Sequence, residues 1–434
     1  MSGRVLVLGA SGFIGAHVAA ALAAAGWTVR AGARRPEAAR RLAPSHDWVR
    51  AEFAELTDPA AWTPLLEGVD AVVNCVGVLQ DGGGDSTRVA HLDGPAALIA
   101  ACEAAGVRRL VHVSAAGADP AAGTAYAATK HQTERMLAAS PLDWVILRPS
   151  LVLGRAAYGG TALMRGLAAF PGVIPVLGGR QRFRPVAMDD LAAAVVRLCA
   201  PDAPARLTLD VGGPDLVSQA ELLVALRGWL GLPPAPVLRV PAWLAAPAVW
   251  AGDIAGRLGW PSSLRSTSVK QMEHGAAGEG PQALTAATGV APRPLARILS
   301  DAPATVADRW HARLEFVRPL AIVSLGLFWI VTGLVTVGPG WRAAVLLLER
   351  AGFAGLSGPL AFWGGVFDVV LGLALFVRPW TRIVALLMVA ATLGYLAAAT
   401  AWAPAFWIDP LGPWLKVIPM MALCLVVAAT DDRR

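Results

Sequence analysis

"RVLVLGASGFIGAHVAAALAAAGWTVRAGARRP", residues 4–36, decides the fold. Residues 5–8 are a short apolar run of the kind that makes a strand buried on both faces. Gly9, Gly12 and Gly15 come next, and an alanine-rich helical run then ends at Gly26, a natural C-cap. The segment after Gly26 reads as a second strand. Glycines between a strand and a helix let the backbone approach a diphosphate, whose charge then sits on the helix N-terminus. The spacing is GxxGxxG, not the commoner GxGxxG. Because the chain holds 45 glycines, the flanking strand and helix carry this reading more than the spacing does. The competing reading is a tight strand–helix turn that holds no ligand.

A site for NAD wants a carboxylate about 20 residues further on, to hold the ribose hydroxyls. "VRAGARRP" fills that place with Arg30, Arg34 and Arg35, and no acid precedes Glu37. Arginine suits a 2′-phosphate, so NADP(H) is the expected nucleotide and NAD(H) the alternative. Simple solvation of the arginines is the plainer reading. Further strands follow in "DAVVNCVG" (70–77), "VRRLVHVSA" (107–115) and "LDWVILRPS" (142–150), with helical periods such as "GPAALIAACEAAG" between them. This alternation argues for a doubly wound parallel sheet with ligand groups at the carboxyl ends of the strands. Asn74, Ser114, Pro149 and Ser150 fall at such ends.

"TAYAATKHQTE", residues 124–134, sets Tyr126 and Lys130 four apart on one helix face. With three tyrosines and three lysines in 434 residues, roughly 0.02 such pairs arise by chance. A phenol of pKa near 10 is a poor proton donor or acceptor at neutral pH unless a cation stabilises its anion. Lys130 is the candidate cation, and Ser114, twelve residues before the tyrosine, is a candidate to hold a carbonyl. The plainer reading is a surface Tyr–Lys pair.

Composition sets the rest. At 434 residues, two or three domains are expected. The chain is 56% hydrophobic and 16% charged, and the apolar excess lies after residue 315. Of 37 basic residues only Lys130, Lys270 and Lys416 are lysine, and no basic run or aromatic-interleaved basic patch points to nucleic acid. Cys75, Cys102, Cys199 and Cys424 lack metal-ligand spacing and read as buried thiols in a reducing compartment, with no metal expected. The opening residues enter a strand at once, so the N-terminal part is expected to stay in the cytoplasm.

"GASGFIG", "NCVG", "HVSAAGA", "YAATK" and "ILRPSLVLG" together resemble the short-chain dehydrogenase/reductase family in its extended or atypical branch. The nearest flavour is the nucleotide-binding accessory subunit of respiratory complex I and its bacterial relatives. "RFRPVAMDDLAAAVV" and "LDVGGPDLVSQAELLVALRGWLG" resemble later segments of that branch, so the likeness covers about residues 3–300. The resemblance implies a Rossmann-type sheet with a small α/β cap. It implies Ser114, Tyr126 and Lys130 as the catalytic set. Gly9, Ser11, Gly12, Phe13, Ile14, Gly15, Arg34, Asn74 and Pro149 would line the cofactor. The gap from Ser114 to Tyr126 is slightly shorter than the family commonly shows.

In the cap, the basic loop "GGRQRFRP" (178–185) is either an anion contact or a solvated turn, and Asp189 and Asp190 read as helix-capping acids. "PAWLAAPAVWAGDIAGRLGW" (241–260) is either a bilayer-surface helix or a packed cap helix. Four apolar segments follow near 319–337, 359–377, 383–402 and 414–429, flanked by tryptophans; the fourth is short and holds Lys416 and Pro419, so its start is expected in the interface. Arg309, Arg313, Arg318, Arg378, Arg382, Arg433 and Arg434 fall on one side, and Arg342, Arg350 and Lys416 oppose Glu349 and Asp409 on the other. That bias puts both termini in the cytoplasm for a multi-pass protein of the inner membrane. "FVRPL", "FDVVLGLALF" and "DPLGPWLKVIP" resemble the DoxX-like four-helix membrane family. Asp368, within the second segment, should face the bundle, with Thr332, Thr392 and Tyr395 as candidate partners.

The expected architecture is a nucleotide-binding domain with its cap over 1–240, a helical linker over 241–316 and an all-α four-helix transmembrane bundle over 317–434. The expected function is a membrane-anchored NADP(H)-dependent oxidoreductase acting on an apolar carbonyl or alcohol. The rival is a non-catalytic NADPH-holding structural, assembly or sensor protein of a respiratory or envelope complex. Pyridine nucleotide and the lipid bilayer are the expected partners, protein partners being unassigned.

Overall fold

The computed structural model describes residues 3–82, 86–179, 181–260, 262, 264–274, 276–408, 410 and 412–431. Arg180, Asp409, Arg433 and Arg434 lie outside them. Two compact units emerge: Met1–Asp253 with Ser262–Ala312, and Ile254–Pro261 with Arg313–Arg434.

The first unit is built on a parallel seven-stranded sheet. Its strands are β1 (Arg4–Leu8), β2 (Thr28–Ala33), β3 (Asp47–Arg50), β4 (Ala71–Asn74), β5 (Arg109–Val113), β6 (Asp143–Pro149) and β7 (Leu207–Val211), in the order β7-β6-β5-β4-β1-β2-β3. The order reverses at β1, the switch point of a doubly wound sheet. Alternate side chains of β1 explain why both faces are covered. Val5 and Val7 join one apolar core with Val18 and Leu22 of α1 (Phe13–Ala24), while Leu6 and Leu8 join the opposite core with Trp62 and Leu98. Val5, Leu6, Val7 and Leu8 are all fully buried. Register aligns Leu8 with Asn74, Asn74 with His112 and Val113 with Leu147, so the carboxyl ends of β1, β4, β5 and β6 share one edge.

Four further helices matter for the site: α2 (Gly94–Ala105), α3 (Ala125–Ala139), α4 (Met188–Leu198) and α5 (Ser266–His274). Thr124 caps α3 by accepting from the Ala127 N–H at 3.1 Å. Asp190, in the first turn of α4, has a different role from the expected capping. Its carboxylate accepts from the Arg293 backbone N–H and Nε, both at 2.9 Å, and no side chain caps that helix. Arg293 belongs to the stretch Ser262–Ala312, which was expected to be linker. That stretch instead packs into the first unit, with Leu284 fully buried in its core. The helix Ala242–Arg257 leaves Trp243 and Trp250 exposed, unlike a packed cap helix.

The second unit is helical. Among the described residues three segments are long and apolar enough to cross a membrane: Val306–Val337, whose residues from Arg313 belong here, Ser357–Leu375 and Arg378–Trp402. The fourth apolar segment is short, as Lys416 and Pro419 near its start implied. It is helical only over Val417–Ala429, about 20 Å at 1.5 Å per residue and short of the hydrocarbon thickness. Gly412, with φ +58°, and Pro413 stand just before it, and neither continues a helix. Glycines set the first helix pair. A Cβ on Gly333 would lie 2.4 Å from the Gly365 carbonyl oxygen, and one on Gly372 would lie 2.7 Å from that of Gly326. Asp368 is buried and accepts from the Tyr395 hydroxyl at 2.9 Å, whereas Thr332 and Thr392 donate to carbonyls of their own helix.

Candidate active site

The glycine turn is shaped by backbone contacts. Gly9 has φ +72°, a conformation L side chains rarely adopt, and the Gly12 N–H closes the turn on the Gly9 carbonyl at 2.9 Å. A Cβ on Gly15 would lie 2.2 Å from that same carbonyl oxygen, so only glycine lets α1 approach β1 this closely. Ser11 and Gly12 are exposed, and no side chain caps α1. Its first N–H groups are thus open to an anion, the arrangement a dinucleotide diphosphate uses. Phe13 and Ile14 are half-buried at the start of the helix, and the Phe13 ring stacks on Tyr158 at 6.3 Å.

The three arginines after β1 and α1 part company. Arg30 is tied to Asp47 and to the carbonyls of Pro64, Leu65 and Glu67, so it is structural. Arg34 and Arg35 are exposed beyond the end of β2. Glu37, the first acid after them, pairs with Arg40 at 3.1 Å.

At the ends of β4 and β5 a buried polar cluster forms that the sequence had only half revealed. Asn74 accepts from the Val76 N–H at 3.0 Å, which turns its amide nitrogen toward His112 Nδ1 at 3.2 Å. The amide can only donate, so His112 accepts at Nδ1 and carries its proton on Nε2. That Nε2 is buried without a partner among the described residues. Asn74 thus positions the Val76 backbone and the His112 ring at the carboxyl end of β4. Pro149, expected along the cofactor path, ends β6 and accepts from the Ala116 N–H at 2.9 Å through its carbonyl.

His91 sits in the π-helical turn Val89–Asp93, a geometry common at functional sites. Its Nε2 accepts from the Val78 N–H at 3.0 Å, so its Nδ1 proton faces Thr129 Oγ1 at 3.1 Å. The Tyr126 ring meets the His91 ring edge-on, 5.4 Å between centroids. Neither histidine stood out in the sequence, and the one local signal, an isolated histidine in a helical run, does not announce a π-turn.

Lys130 is buried and donates to the Val113 carbonyl at 2.9 Å, with the Val76 carbonyl at 3.5 Å. Burial lowers its pKa to about 8, against the opposing pull of Glu134. Glu134, one turn further along α3, is itself paired with Arg148. Ser114 donates its backbone N–H to Leu147 at 2.7 Å, and its Oγ is buried without a partner among the described residues. The Tyr126 phenol is pushed up to about 12, by burial first and by Glu134 second. This corrects the expected electrostatics. In the ligand-free chain desolvation outweighs any lysine charge at the phenol, because the ammonium points to strand-end carbonyls.

Burial also lowers the pKa of His91 to about 2 and that of His112 well below 6.5, with Lys130 adding to both. Both imidazoles therefore stay neutral when folded but charge when unfolded. Their stabilising share is complete above pH 6.5 and is lost as pH falls. Going from pH 7 to pH 5 is expected to cost about 2 kcal/mol at His91, with His112 acting in the same direction. Thermal unfolding of wild type and His91→Gln across that range checks this: the variant should lose stability less steeply, and parallel curves would contradict it.

The family model for NAD(P)H-binding proteins matches residues 9–198, and that for the DoxX-like family matches residues 326–425. A ceramide reductase of Caulobacter vibrioides is 30% identical over 202 residues, 45% of this chain and 61% of that protein. The mitochondrial NADH-ubiquinone oxidoreductase 40 kDa subunit of Neurospora crassa is 26% identical over 50% of this chain and 57% of its own. The (4-alkanoyl-5-oxo-2,5-dihydrofuran-3-yl)methyl phosphate reductase of Streptomyces griseus is 30% identical over 53% of this chain and 74% of its own. The chain thus spans about three fifths of the first two. In structure, the NADPH complex of the Escherichia coli quinone oxidoreductase QOR2 shares the fold, with a TM-score of 0.54, 22% identity, and coverage of 68% of this chain and 99% of that one.

Proposed function

We propose, for a chain that belongs to the NAD(P)H-binding, short-chain dehydrogenase/reductase-like family and carries a DoxX-like domain, that it is a membrane-anchored NADP(H)-dependent oxidoreductase of a carbonyl or alcohol. The observation that carries the reading is Ser114 Oγ, a buried hydroxyl with no partner among the described residues, at the strand end beside the Tyr126 helix. A buried polar atom left unmatched calls for an explanation, and at a strand end beside the Tyr126 helix a catalytic role supplies one. The open glycine turn, whose cradle a single Cβ on Gly15 would fill, is the matching observation for the nucleotide.

A bound nicotinamide would exchange hydride with the substrate carbon. Ser114 Oγ holds the substrate oxygen by donating to it, and Tyr126 moves the proton to or from that oxygen. Lys130 has three N–H donors, of which the Val113 carbonyl takes one at 2.9 Å and the Val76 carbonyl a second at 3.5 Å, so one remains for a ribose hydroxyl or the phenol. The neutral His91 braces the tyrosine ring from its edge. With its pKa pushed up to about 12 the phenol stays protonated at neutral pH, the form that donates to a developing alkoxide, which suits the reducing direction.

Arg34 supports NADP(H) over NAD(H), through a charge-assisted contact to the 2′-phosphate. Arg34→Asp is expected to shift the NADPH-to-NADH affinity ratio by about tenfold or more toward NADH, read by nucleotide fluorescence titration. An unchanged ratio would place the 2′-phosphate elsewhere. The three apolar helices support anchoring in the cytoplasmic membrane; both termini lie inside, as the arginine bias favours, when the shorter Val417–Ala429 makes a fourth crossing.

The rival reading, a nucleotide-holding protein without turnover, draws support from one observation. Lys130 grips strand carbonyls and leaves Tyr126 with a raised pKa. Nucleotide oxidation in the presence of a cell extract separates the two.

A further inference from the structure

We propose that a polar cleft beside the N-terminus of α3 binds an anionic group of the substrate, a phosphate or carboxylate, through Lys270; this assignment rests on the nucleotide-dependent reading above. The cleft, of about 280 Å³, is lined by Gln80, Asp81, Thr124, Arg265, Thr267 and Lys270 among others. Its hydroxyls, amide and charges make it a poor match for a lipid tail and a good one for a polar, hydrogen-bonding group.

The charges in it sort themselves. Asp81 Oδ1 is turned into its own loop, accepting from the Thr87 N–H at 2.6 Å and from its hydroxyl at 2.9 Å. Arg265 leans on Asp253 at 3.5 Å, and that carboxylate also accepts from the Ser266 N–H at 3.2 Å. Lys270, exposed at the cleft, makes no hydrogen bond or ion pair with any described residue, and it brings three N–H donors to the lining. Its helix is fixed to the chemistry by its neighbour. Gln271 donates from Nε2 to the Gly117 carbonyl at 2.7 Å and accepts from Thr124 Oγ1 at 2.8 Å. Gly117 lies three residues after Ser114, and Thr124 lies two before Tyr126. One side chain of α5 thus clamps both segments that carry the reacting hydroxyls, and the next presents a cation. An anion held there would set the rest of the substrate in a fixed relation to Ser114 and Tyr126.

The scarcity of lysine makes the test direct. The full-length protein, loaded with NADPH, is acylated by an amine-specific reagent, and the labelling rates of Lys270 and Lys416 are followed by peptide mass spectrometry. Octyl phosphate probes a free monoester. Nanodiscs containing phosphatidic acid, compared with phosphatidylcholine alone, probe a lipid headgroup. Slowing of Lys270 by about fivefold, the occupancy factor at about four times Kd, with Lys416 unchanged, supports the proposal. Protection by octyl phosphate alone assigns a soluble anion, and protection by phosphatidic acid alone assigns the headgroup. Gln271→Leu should weaken protection while NADPH affinity holds. No protection by either probe, or equal slowing by matched potassium chloride, overturns the proposal. Failure to bind NADPH, measured on the same sample, overturns the nucleotide reading instead.

Discussion

Tyr126→Phe is expected to bind NADPH within about twofold of wild type while losing about 10²–10⁴ of turnover, the range general acid catalysis supplies. The asymmetry follows from where the phenol stands. Its hydroxyl makes no hydrogen bond with a described residue, so its removal disturbs little of the fold, and the ring keeps its edge contact with His91. Stability should change by less than about 1 kcal/mol, since no intramolecular hydrogen bond is lost. Lys130, already engaged by Val113, keeps its place. Steady-state oxidation of NADPH, set beside a fluorescence titration, reads both halves. A variant that turns over normally would remove Tyr126 from the chemistry.

The second large effect belongs to Gly15→Ala. The added Cβ would lie 2.2 Å from the Gly9 carbonyl oxygen, 2.7 Å from its carbon and 3.1 Å from Ala10 Cα. All three are backbone atoms, so no flexible side chain can swing away, and α1 must back off from the turn. Overpacking of this kind costs about 1–3 kcal/mol. Moving the helix also spoils the alignment of its N–H groups, so NADPH affinity should fall by more than about tenfold. Gly228→Ala is the control. Nothing lies within 4 Å of its Cβ position, in the helix Gln219–Trp229, and alanine there should be neutral or stabilising. Nucleotide affinity intact in Gly15→Ala would mean that the diphosphate does not rest on this turn.

Local pattern made the first unit legible. The run around β1 and α1 declares itself because every feature lies within 30 residues: apolar strand, glycines, alanine-rich helix. Ser114 and Tyr126 could be named for the same reason, each sitting next to a strand or helix end readable from its own neighbours. What stayed hidden depends on contacts between distant segments. The clamp made by Gln271 joins residues 147 and 154 positions apart. The return of Ser262–Ala312 into the first unit is likewise invisible to composition, since Pro, Ala and Gly read as linker. The electrostatics of Lys130 and Tyr126 were misjudged because spacing gives proximity along a helix and says nothing of burial. In the second unit, hydropathy located the apolar segments and the shortness of the last one, Val417–Ala429, but the amphipathic helix Trp341–Arg350 needed the structure.

The most direct measurement follows a single hydrogen. The protein is given NADPH deuterated at nicotinamide C4 together with a total cell extract, and small molecules and lipids are searched by mass spectrometry for the label. A product should gain one deuterium in the wild type and none in Tyr126→Phe, with both proteins binding the nucleotide. Tight NADPH binding with no deuterium passed to any product would contradict the reductase and leave a nucleotide-holding membrane protein in its place.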